Sequence, residues 1–369
     1  MSARLSRLSA YEVTIPLPRP LHLSSGAITA RDYVIVEAAD DDGRVGRSVG
    51  YTRGAPMAAT IQRMLSARWE GSDLDTYAQT YEATARSSNF MGTHGIYWRA
   101  ISLADCAVYD LLAQRAGQPL HAYLGGTHRS VETTLAGCYP VADETPESLA
   151  LLMQEMDRYG AAGIKITASS DPARDTERLR LCRAALPDGA PFIIDLYGMA
   201  PEAPVLLPFA RQWSEYHMAW LEDPYGFDDF SNLSALADQL EYPVGVGDEQ
   251  SGLHHFENLI RYGHIRFVRL DATTCGGVTG FMRIARRVTE LGLPISCHVF
   301  HHLHSQLACA VPGVRFVEYM LPQTGVDAIQ YLLPEDLAWD AGKLVPTTRP
   351  GVGFIWDEAV LRSHQRPIA

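Results

Sequence analysis

Charged residues recur in the second half of the chain at a nearly constant spacing, each at the end of a short apolar run. They are Asp195, Glu222, Asp248, Asp271 and His298. Successive members lie 27, 26, 23 and 27 residues apart, and one β-strand with its crossover helix takes about 25–30 residues. The spacing therefore predicts a parallel α/β barrel with one functional side chain at the carboxyl end of each strand, where barrel enzymes have their active sites.

The size and composition of the chain suit such a barrel with a second, smaller domain. The 369 residues exceed the about 250 residues of one barrel by about 100. Hydrophobic residues make up 47% and charged residues 20%, as in globular proteins with a large core. The formal net charge of −12 argues against nucleic acid and anionic membranes as partners, since both attract basic surfaces. It does not exclude an acidic substrate, because a bound cation can invert the local field.

The cysteines and the hydropathy pattern indicate a cytoplasmic protein. The six cysteines form no CxxC pair, which favours free thiols in a reducing compartment. The N-terminus lacks the apolar core of a signal peptide. No run approaches the about 18 apolar residues of a membrane span.

Residues 1–125 are predicted to form an α+β domain, because strand patterns are followed by helix patterns. Antiparallel strands are expected at 4–15, 33–38 and 45–51. Helices are expected at 56–69, 73–85 and 94–115. The stretch 16–31 is expected to be a loop because it contains three prolines. The tail, about 335–369, is expected to pack back on this domain.

Residues 126–334 alternate between strand and helix patterns and are predicted to form the barrel domain. Its eight strands are expected at 133–138, 163–167, 192–195, 218–221, 243–247, 266–270, 294–297 and 314–318. The strands start at a near-regular interval, so the fold class expected is α/β with eight parallel strands.

The first three residues of the charged series are candidate metal ligands. Asp195, Glu222 and Asp248 would repel one another at one barrel mouth unless a cation lay between them. Ligands that offer only oxygen favour a hard ion such as Mg²⁺ with several waters, and Mn²⁺ could replace it. Taken singly, each acid could instead be a surface residue or a helix cap. Three of them on successive strands favour the metal site.

The last two residues of the series are a candidate base and its partner. A carboxylate such as Asp271 on one imidazole nitrogen fixes the tautomer of His298 and leaves the other nitrogen free to take a proton. A buried histidine with a structural hydrogen bond is the alternative. His301, His302 and His304 follow on the next loop or helix, and we expect solvated or packing roles for them.

Two further strand-end residues carry charge. Lys165 near the end of the second strand could be a base, neutralise a substrate carboxylate, or form a salt bridge with a metal-binding acid. Glu318 at the eighth strand could donate a hydrogen bond if it is protonated, or form a buried ion pair with Arg315 or Lys165.

The motifs around these residues resemble the mandelate racemase branch of the enolase superfamily. They are Gly-Ile-Lys165-Ile-Thr167, Ile-Ile-Asp195-Leu-Tyr197-Gly, Trp-Leu-Glu222-Asp-Pro224, Gly-Val-Gly-Asp248-Glu249, Leu-Asp271-Ala-Thr-Thr-Cys-Gly276-Gly277 and Ser-Cys-His298. Leu103-Ala-Asp105-Cys-Ala-Val-Tyr-Asp110-Leu resembles the N-terminal domain of that family. The resemblance covers nearly the whole chain.

The resemblance implies an N-terminal capping domain over a modified (β/α)7β TIM barrel. It implies Mg²⁺ on Asp195, Glu222 and Asp248, chelating the carboxylate of a small 2-hydroxy acid. His298, supported by Asp271, would remove the proton α to that carboxylate. The ion, with Lys165 and Glu318, would stabilise the resulting enediolate. An even-numbered homo-oligomer is also implied.

Two positions depart from the family pattern. Thr167 stands where the family usually has a second lysine, the base on the opposite face of the substrate, and threonine cannot act as a base near neutral pH. Tyr197 stands where the family often has asparagine. It could be an acid for a leaving hydroxyl, or it could hydrogen-bond to a metal ligand.

One base, one metal ion and no opposite-face lysine predict a sugar-acid dehydratase acting on an aldonate or aldarate. Arg53 and His22, in segments that reach the substrate in the family, and Thr167 are candidate substrate contacts. Arg53 and His22 could equally be solvated loop residues. The alternatives are a cycloisomerase of a lactone or anhydro-sugar acid, a racemase or epimerase, and a relative that binds without catalysis.

Overall fold

The computed structural model describes residues 3–23, 26–169 and 171–367. Two sheets organise these residues. One is a four-stranded antiparallel sheet, and the other contains eight parallel strands closed into a barrel. None of the helices in the described ranges is long and apolar enough to cross a membrane.

The strands of the antiparallel sheet are β1 (Leu5–Leu23), β2 (Gly26–Asp40), β3 (Val45–Tyr51) and, from the last part of the chain, β14 (Gln365–Arg366). They lie in the order β14-β1-β2-β3. The helices packed with it are α1 (Met57–Ile61), α2 (Ala67–Trp69), α3 (Tyr77–Ser87) and α4 (Ile96–Arg115), followed by α5 (Leu120–Tyr123). A π-helical turn joins α1 to α2.

The prediction of a loop at 16–31 is wrong, because β1 and β2 continue through it as a long hairpin; residues 24 and 25 lie outside the described ranges. The pairing with β2 shifts register between Pro16 and Leu21. The prolines fall at this irregularity, where the ladder does not need their missing N–H groups.

The barrel strands match the predicted positions closely. They are β4 (Val131–Cys138), β5 (Gly163–Thr167), β6 (Phe192–Asp195), β7 (Met218–Glu222), β8 (Val244–Val246), β9 (Phe267–Leu270), β10 (Ile295–Cys297) and β11 (Val314–Met320). Neighbouring strands pair in parallel, and β11 pairs with β4, which closes the barrel. The predicted fold class is confirmed.

Helices cover the outside of the barrel. They are α6 (Pro146–Asp157), α7 (Pro172–Ala185), α8 (Ala203–Trp213), α9 (Phe230–Ala237), α10 (Leu253–Tyr262), α11 (Gly277–Glu290) and α12 (His301–Ala310). Local signals set their starts. Thr145 forms a capping box with Ser148 before α6, and the Asp171 side chain accepts from two backbone N–H groups at the start of α7.

The tail divides between the two sheets. After α13 (Ile329–Leu332), the short strands β12 (Ala338–Asp340) and β13 (Lys343–Val345) form a hairpin, and β13 pairs with β4 of the barrel. Then α14 (Glu358–His364) leads to β14, which pairs with β1. Within the described part of the tail, this last strand is the one that joins the N-terminal sheet.

Every second side chain of a barrel strand points into the barrel, so the inward-facing side chains form layers. Ile193, Trp220 and Phe267 form a buried apolar cluster inside the barrel, with the Trp220 and Phe267 rings stacked at 4.1 Å between centroids. Two residues further along two of these strands stand Asp195 and Glu222. Alternate residues of a strand face the same side, so each charged side chain stands above an apolar plug and points to the carboxyl end of the barrel.

Asp105 on α4 joins the N-terminal domain to the barrel. It is fully buried, accepts from Thr279 N and Thr279 Oγ1 (both 2.9 Å), and accepts from Tyr77 Oη at 2.8 Å. Gly277 lies beside it with φ 73°, and a Cβ there would come within 2.3 Å of Asp105 Oδ2. Only glycine fits at this contact.

The substitution Gly277→Ala should therefore lower the melting temperature strongly. Gly292→Ala is the matched control, because Gly292 has a similar φ of 71° but no neighbour within 4 Å among the residues described. The control should cost about 1–2 kcal/mol, the backbone penalty alone, and Gly277→Ala about 1–3 kcal/mol more from the clash. Equal losses in thermal or urea unfolding would show that the contact with Asp105 is not tight.

Candidate active site

The strand-end residues of the charged series meet at one mouth of the barrel. Asp195 and Glu222 are the last residues of β6 and β7 and are direct neighbours in the sheet register. Asp248 follows β8 by two residues, Asp271 directly follows β9, and His298 directly follows β10. All five are buried.

Lys165 lies between the acids. Its Nζ is 3.0 Å from Asp195 Oδ2, 2.5 Å from Glu222 Oε1 and 3.2 Å from Glu318 Oε2. Burial alone would lower the pKa of Lys165, but these three carboxylates raise it well above its ordinary value. In this arrangement the three carboxylates favour the charged form of Lys165.

Arg269 is a second buried cation, which is not among the site residues predicted from the sequence. Its Nε lies 3.0 Å from Glu222 Oε2 and 2.9 Å from Asp248 Oδ1, and its guanidinium also binds Glu318. The period of two along β9 could have revealed it, because Arg269 must face inward if Asp271 does. A charged residue inside a buried strand needs partners of opposite charge.

Glu318 accepts hydrogen bonds in this arrangement. Burial raises its pKa, but Lys165 and Arg269 outweigh burial and hold the pKa at about 2. The carboxylate is therefore ionised. Of the two ion-pair partners considered from the sequence, it uses Lys165, and Arg269 takes the place of Arg315.

Acidic groups still exceed the cations. Burial raises the pKa of Glu222 to about 7, although Arg269 and Lys165 lower it. Burial, and after it the charges of Asp248 and Asp195, raises the pKa of the adjacent Asp223 well above its ordinary value. Glu222 Oε1 and Asp223 Oδ1 have no hydrogen-bond partner among the described residues, although Lys165 Nζ approaches the first without hydrogen-bond geometry. A further cation would relieve both conditions.

The residues that could hold this cation are Asp195, Glu222 and Asp248. Within the described ranges their oxygens do not form a group with all members within 4.8 Å of one another, because Lys165 and Arg269 stand between them. The donor set, all carboxylate oxygen, suits a hard divalent ion. The three side chains would have to move closer together to place their oxygens on one ion.

His298 and Asp271 form a hydrogen-bonded pair. His298 Nδ1 is 2.9 Å from Asp271 Oδ2, and a carboxylate only accepts, so Nδ1 carries the hydrogen and Nε2 is the free position. Asp271 Oδ1 accepts from Thr273 N and Oγ1, both at 2.7 Å. Burial alone would lower the pKa of His298, but Asp248 and then Asp271 raise it to about 9. Nε2 is therefore free to act as a base only when a cation neutralises Asp248, whose Oδ2 lies 3.8 Å from it.

A cavity of about 120 Å³ opens over the pair and the acids. Its lining includes His298, Asp195, Asp248, Tyr197, Asp223 and, from the N-terminal domain, Arg53. Larger surface depressions exist elsewhere; one of about 560 Å³ is lined by Arg44, Arg47 and Arg349. The chemistry of the lining, and not its size, identifies the candidate site.

Backbone strain concentrates at this cavity. Arg53, Tyr197 and Asp223 have φ of 53°, 54° and 39°, and Val299 and Phe300, directly after His298, have 37° and 39°. Residues other than glycine rarely adopt these φ values, and a β-branched residue such as valine adopts them least often. Such strain persists only where the surrounding packing fixes it, commonly at functional sites.

Arg53 reaches the barrel through Glu249. Its Nη2 lies 2.6 Å from Glu249 Oε1, and Arg99 on α4 binds the other carboxylate oxygen. Burial raises the pKa of Glu249, but the two arginines lower it to about 2. Glu249 follows Asp248, so the N-terminal domain closes the site next to a candidate ligand.

The other predicted substrate contacts lie in different settings. Thr167 is buried at the end of β5, beside Asp195 in the register. Tyr197 donates its N–H to Asp195 Oδ1 at 2.9 Å, and its hydroxyl is 3.1 Å from that of Tyr139. His22 is exposed on β1 and is not among the described residues that line the cavity.

Two family profiles match the chain. The one described as mandelate racemase/muconate lactonizing enzyme, N-terminal domain, matches residues 7–125, and the one described as enolase C-terminal domain-like matches residues 148–360. The chain belongs to the mandelate racemase/muconate lactonizing enzyme family of the enolase superfamily, which confirms the resemblance inferred from the strand-end motifs.

Characterised relatives include dehydratases and a cycloisomerase. L-talarate/galactarate dehydratase of Salmonella typhimurium is 26% identical over 90% of this chain and 82% of its own length. 3,6-anhydro-α-L-galactonate cycloisomerase of Streptomyces coelicolor is 26% identical over 93% of this chain and 94% of its own. Arabinonate dehydratase of Saccharolobus solfataricus is 23% identical over 90% and 91%.

Solved structures share the fold along the whole chain. A putative mandelate racemase from Bordetella bronchiseptica superposes with a TM-score of 0.91 at 21% identity, covering 100% of this chain and 96% of that one. L-talarate dehydratase from Polaromonas, crystallised with Mg and L-glucarate, has a TM-score of 0.88 at 24% identity, covering 99% and 98%.

Replacing Arg269 tests the charge balance of the site. Arg269→Met should lower the stability of the magnesium-free protein by about 3–5 kcal/mol, because it leaves buried carboxylates without their partner. Added magnesium should recover part of the loss. The control Arg287→Met removes a partly exposed arginine with two carboxylate partners and should change little. Urea unfolding measures both, and an unchanged Arg269→Met would contradict the assigned role.

Proposed function

We propose that the protein is a magnesium-dependent sugar-acid dehydratase, a hydro-lyase that converts an aldonate or aldarate into a 2-keto-3-deoxy acid. The observation that carries the proposal is the asymmetry of the proton carriers. His298 and Asp271 form a base after β10, whereas Thr167 ends β5, three strands away around the barrel. A base on one face suits elimination, while racemisation needs a proton donor on the other face as well.

The proposed ligands of the ion are Asp195, Glu222 and Asp248. Their oxygen donors fit Mg²⁺, with Mn²⁺ as a substitute, and the buried acids at the barrel mouth outnumber the cations Lys165 and Arg269 that contact them. When bound, the ion stabilises the negative charge that develops on the substrate carboxylate as the α-proton is lost. Magnesium is also the ion in the crystals of the Polaromonas relative.

His298 takes the α-proton at Nε2, and Asp271 stabilises the imidazolium that forms. The electron pair of the broken C–H bond forms the double bond to the neighbouring carbon as the 3-hydroxyl leaves. That hydroxyl receives a proton from the imidazolium or from Tyr197 and departs as water. The enol then takes a solvent proton on the neighbouring carbon and becomes the 2-keto-3-deoxy acid.

Lys165 and Glu318 position the substrate in this scheme. Lys165 provides a positive charge for the substrate carboxylate. Glu318 fixes the position of the Lys165 ammonium group and is itself bound by Arg269. Burial and the neighbouring Tyr139 raise the pKa of Tyr197 well above its ordinary value. The hydroxyl of Tyr197 is therefore protonated and can donate to the leaving hydroxyl.

A cycloisomerase is the second candidate, because one relative of comparable identity opens an anhydro sugar. It would use the same base and ion to expel an ether oxygen instead of water. Incubation with aldonates, aldarates and anhydro-sugar acids plus Mg²⁺, followed by a 2-keto acid assay, separates the two by the substrate that reacts. No keto acid from any of them would reject both, and exchange of the α-proton alone would indicate a racemase or epimerase.

The substitution His298→Asn tests the base. The amide keeps a partner for Asp271 but cannot take the proton, so kcat should fall by about 10²–10⁴-fold, while magnesium affinity should change little. The control His264→Asn alters an exposed histidine that also pairs with an aspartate, Asp238, at 2.9 Å. Full activity of His298→Asn would refute the mechanism.

The substitution Glu222→Ala tests the ligand assignment. It should abolish turnover and also the rise in melting temperature that magnesium gives the wild-type protein. Glu215→Ala, which removes an exposed glutamate, should leave both unchanged. Calorimetric titration with MgCl₂ measures the affinity directly, and wild-type affinity in Glu222→Ala would remove Glu222 from the proposed ligands.

A further inference from the structure

A second cluster of metal-binding side chains lies outside the cavity. It consists of His301 and His302 in the first turn of α12 and Asp336, between α13 and β12. One ligand atom of each lies within 4.8 Å of the others. The two histidines are each only 6% exposed, so the solvated role considered from the sequence is wrong for them. The Asp336 side chain is 45% exposed, which gives an ion access from solvent.

The hydrogen bonds of His302 determine its tautomer. Its Nε2 lies 3.0 Å from the carbonyl oxygen of Glu335, and a carbonyl can only accept, so Nε2 carries the hydrogen. Nδ1 is then a bare lone pair, and it has no hydrogen-bond partner in the described part of the chain.

His301 and Asp336 complete the cluster. His301 Nε2 is 3.3 Å from Asp336 Oδ1 without hydrogen-bond geometry, and it has no other partner in the ranges described. Asp336 is held in place by the Tyr319 hydroxyl and by the N–H of Leu337 at 2.7 Å. Each imidazole therefore has an unsatisfied nitrogen, and each has a ring nitrogen within 4.8 Å of a carboxylate oxygen of Asp336.

His304, one turn further along α12, shows the contrast. Its Nε2 accepts from Ala272 N at 3.0 Å and its Nδ1 donates to Val299 O at 2.7 Å. Both nitrogens of this buried histidine are satisfied, as buried polar groups usually are. The packing role expected for it from the sequence is sufficient, whereas it leaves His301 and His302 unexplained.

We propose that His301 Nε2, His302 Nδ1 and a carboxylate oxygen of Asp336 bind a borderline transition-metal dication of the Zn²⁺ class. Two imidazoles and one carboxylate form a common protein ligand set for such ions, with water in the fourth position. Mg²⁺ prefers oxygen ligands, so this site is chemically distinct from the three strand-end carboxylates.

The site would anchor the segment that carries the base. His301 follows His298 after Val299 and Phe300, both in left-handed backbone conformations. An ion shared with Asp336 ties the start of α12 to the segment before β12. Binding should therefore stabilise the folded protein against heat.

The test uses the full-length protein, stripped with a chelator and then saturated with Mg²⁺. Cobalt(II) is the probe, because tetrahedral nitrogen–oxygen coordination gives an intense visible spectrum that octahedral oxygen sites do not. We expect one equivalent of Co²⁺ to bind in the presence of excess Mg²⁺ with this spectrum, Zn²⁺ to displace it, and either ion to raise the melting temperature.

Two substitutions locate the site. His302→Gln and Asp336→Asn should each weaken Co²⁺ binding about tenfold or more. Because Asp336 is half-exposed, we expect Asp336→Asn to fold like the wild-type protein. The control His254→Gln, at an exposed histidine beside Glu257, should bind normally. The proposal is overturned if the wild-type protein gains no Co²⁺ spectrum under excess Mg²⁺, or if Asp336→Asn binds Co²⁺ as the wild-type protein does.

Discussion

The repulsion among buried carboxylates at the barrel mouth is the constraint on which the rest of the site depends. The acids are Asp195, Glu222, Asp223, Asp248 and Glu318, each at most 6% exposed. Among the residues that the structure describes, Lys165 and Arg269 are the lysine and arginine that form ion pairs with these acids. At an effective dielectric constant of about 20, two unit charges 4 Å apart interact by about 4 kcal/mol. A divalent ion is the simplest way to balance the charge, and the same ion would polarise a substrate carboxylate.

The layers of the protein hold this charge in place. Stacked Trp220 and Phe267 close the barrel beneath the acids, and Trp220 Nε1 donates to Glu222 Oε2 at 2.8 Å. From above, Arg53 and Arg99 of the N-terminal domain bind Glu249. Water is thereby restricted around the acids, and each electrostatic interaction becomes stronger than it would be in solvent. The N-terminal domain thus covers the site and also contributes charges that act on it.

The sequence predicted the barrel because spacing and apolar runs are local signals, and the parallel register then brings the strand ends together. It did not reveal Arg269, since a single arginine within an apolar strand gains meaning only when its inward direction is known. The loop predicted at 16–31 was wrong because its prolines fall at a register shift that only the pairing of β1 with β2 shows. The unsatisfied nitrogens of His301 and His302 depend on contacts with residues more than 30 positions away, which no local pattern contains.

The central claim is that proton removal occurs from one face of the substrate and leads to elimination. The most direct measurement is turnover of a reactive sugar acid in deuterium oxide, with analysis of both product and recovered substrate. The account predicts a 2-keto-3-deoxy acid that carries deuterium at its new methylene carbon, and recovered substrate with its original configuration at the α-carbon. Accumulation of the α-epimer would show that a proton is delivered to the opposite face and would contradict the account.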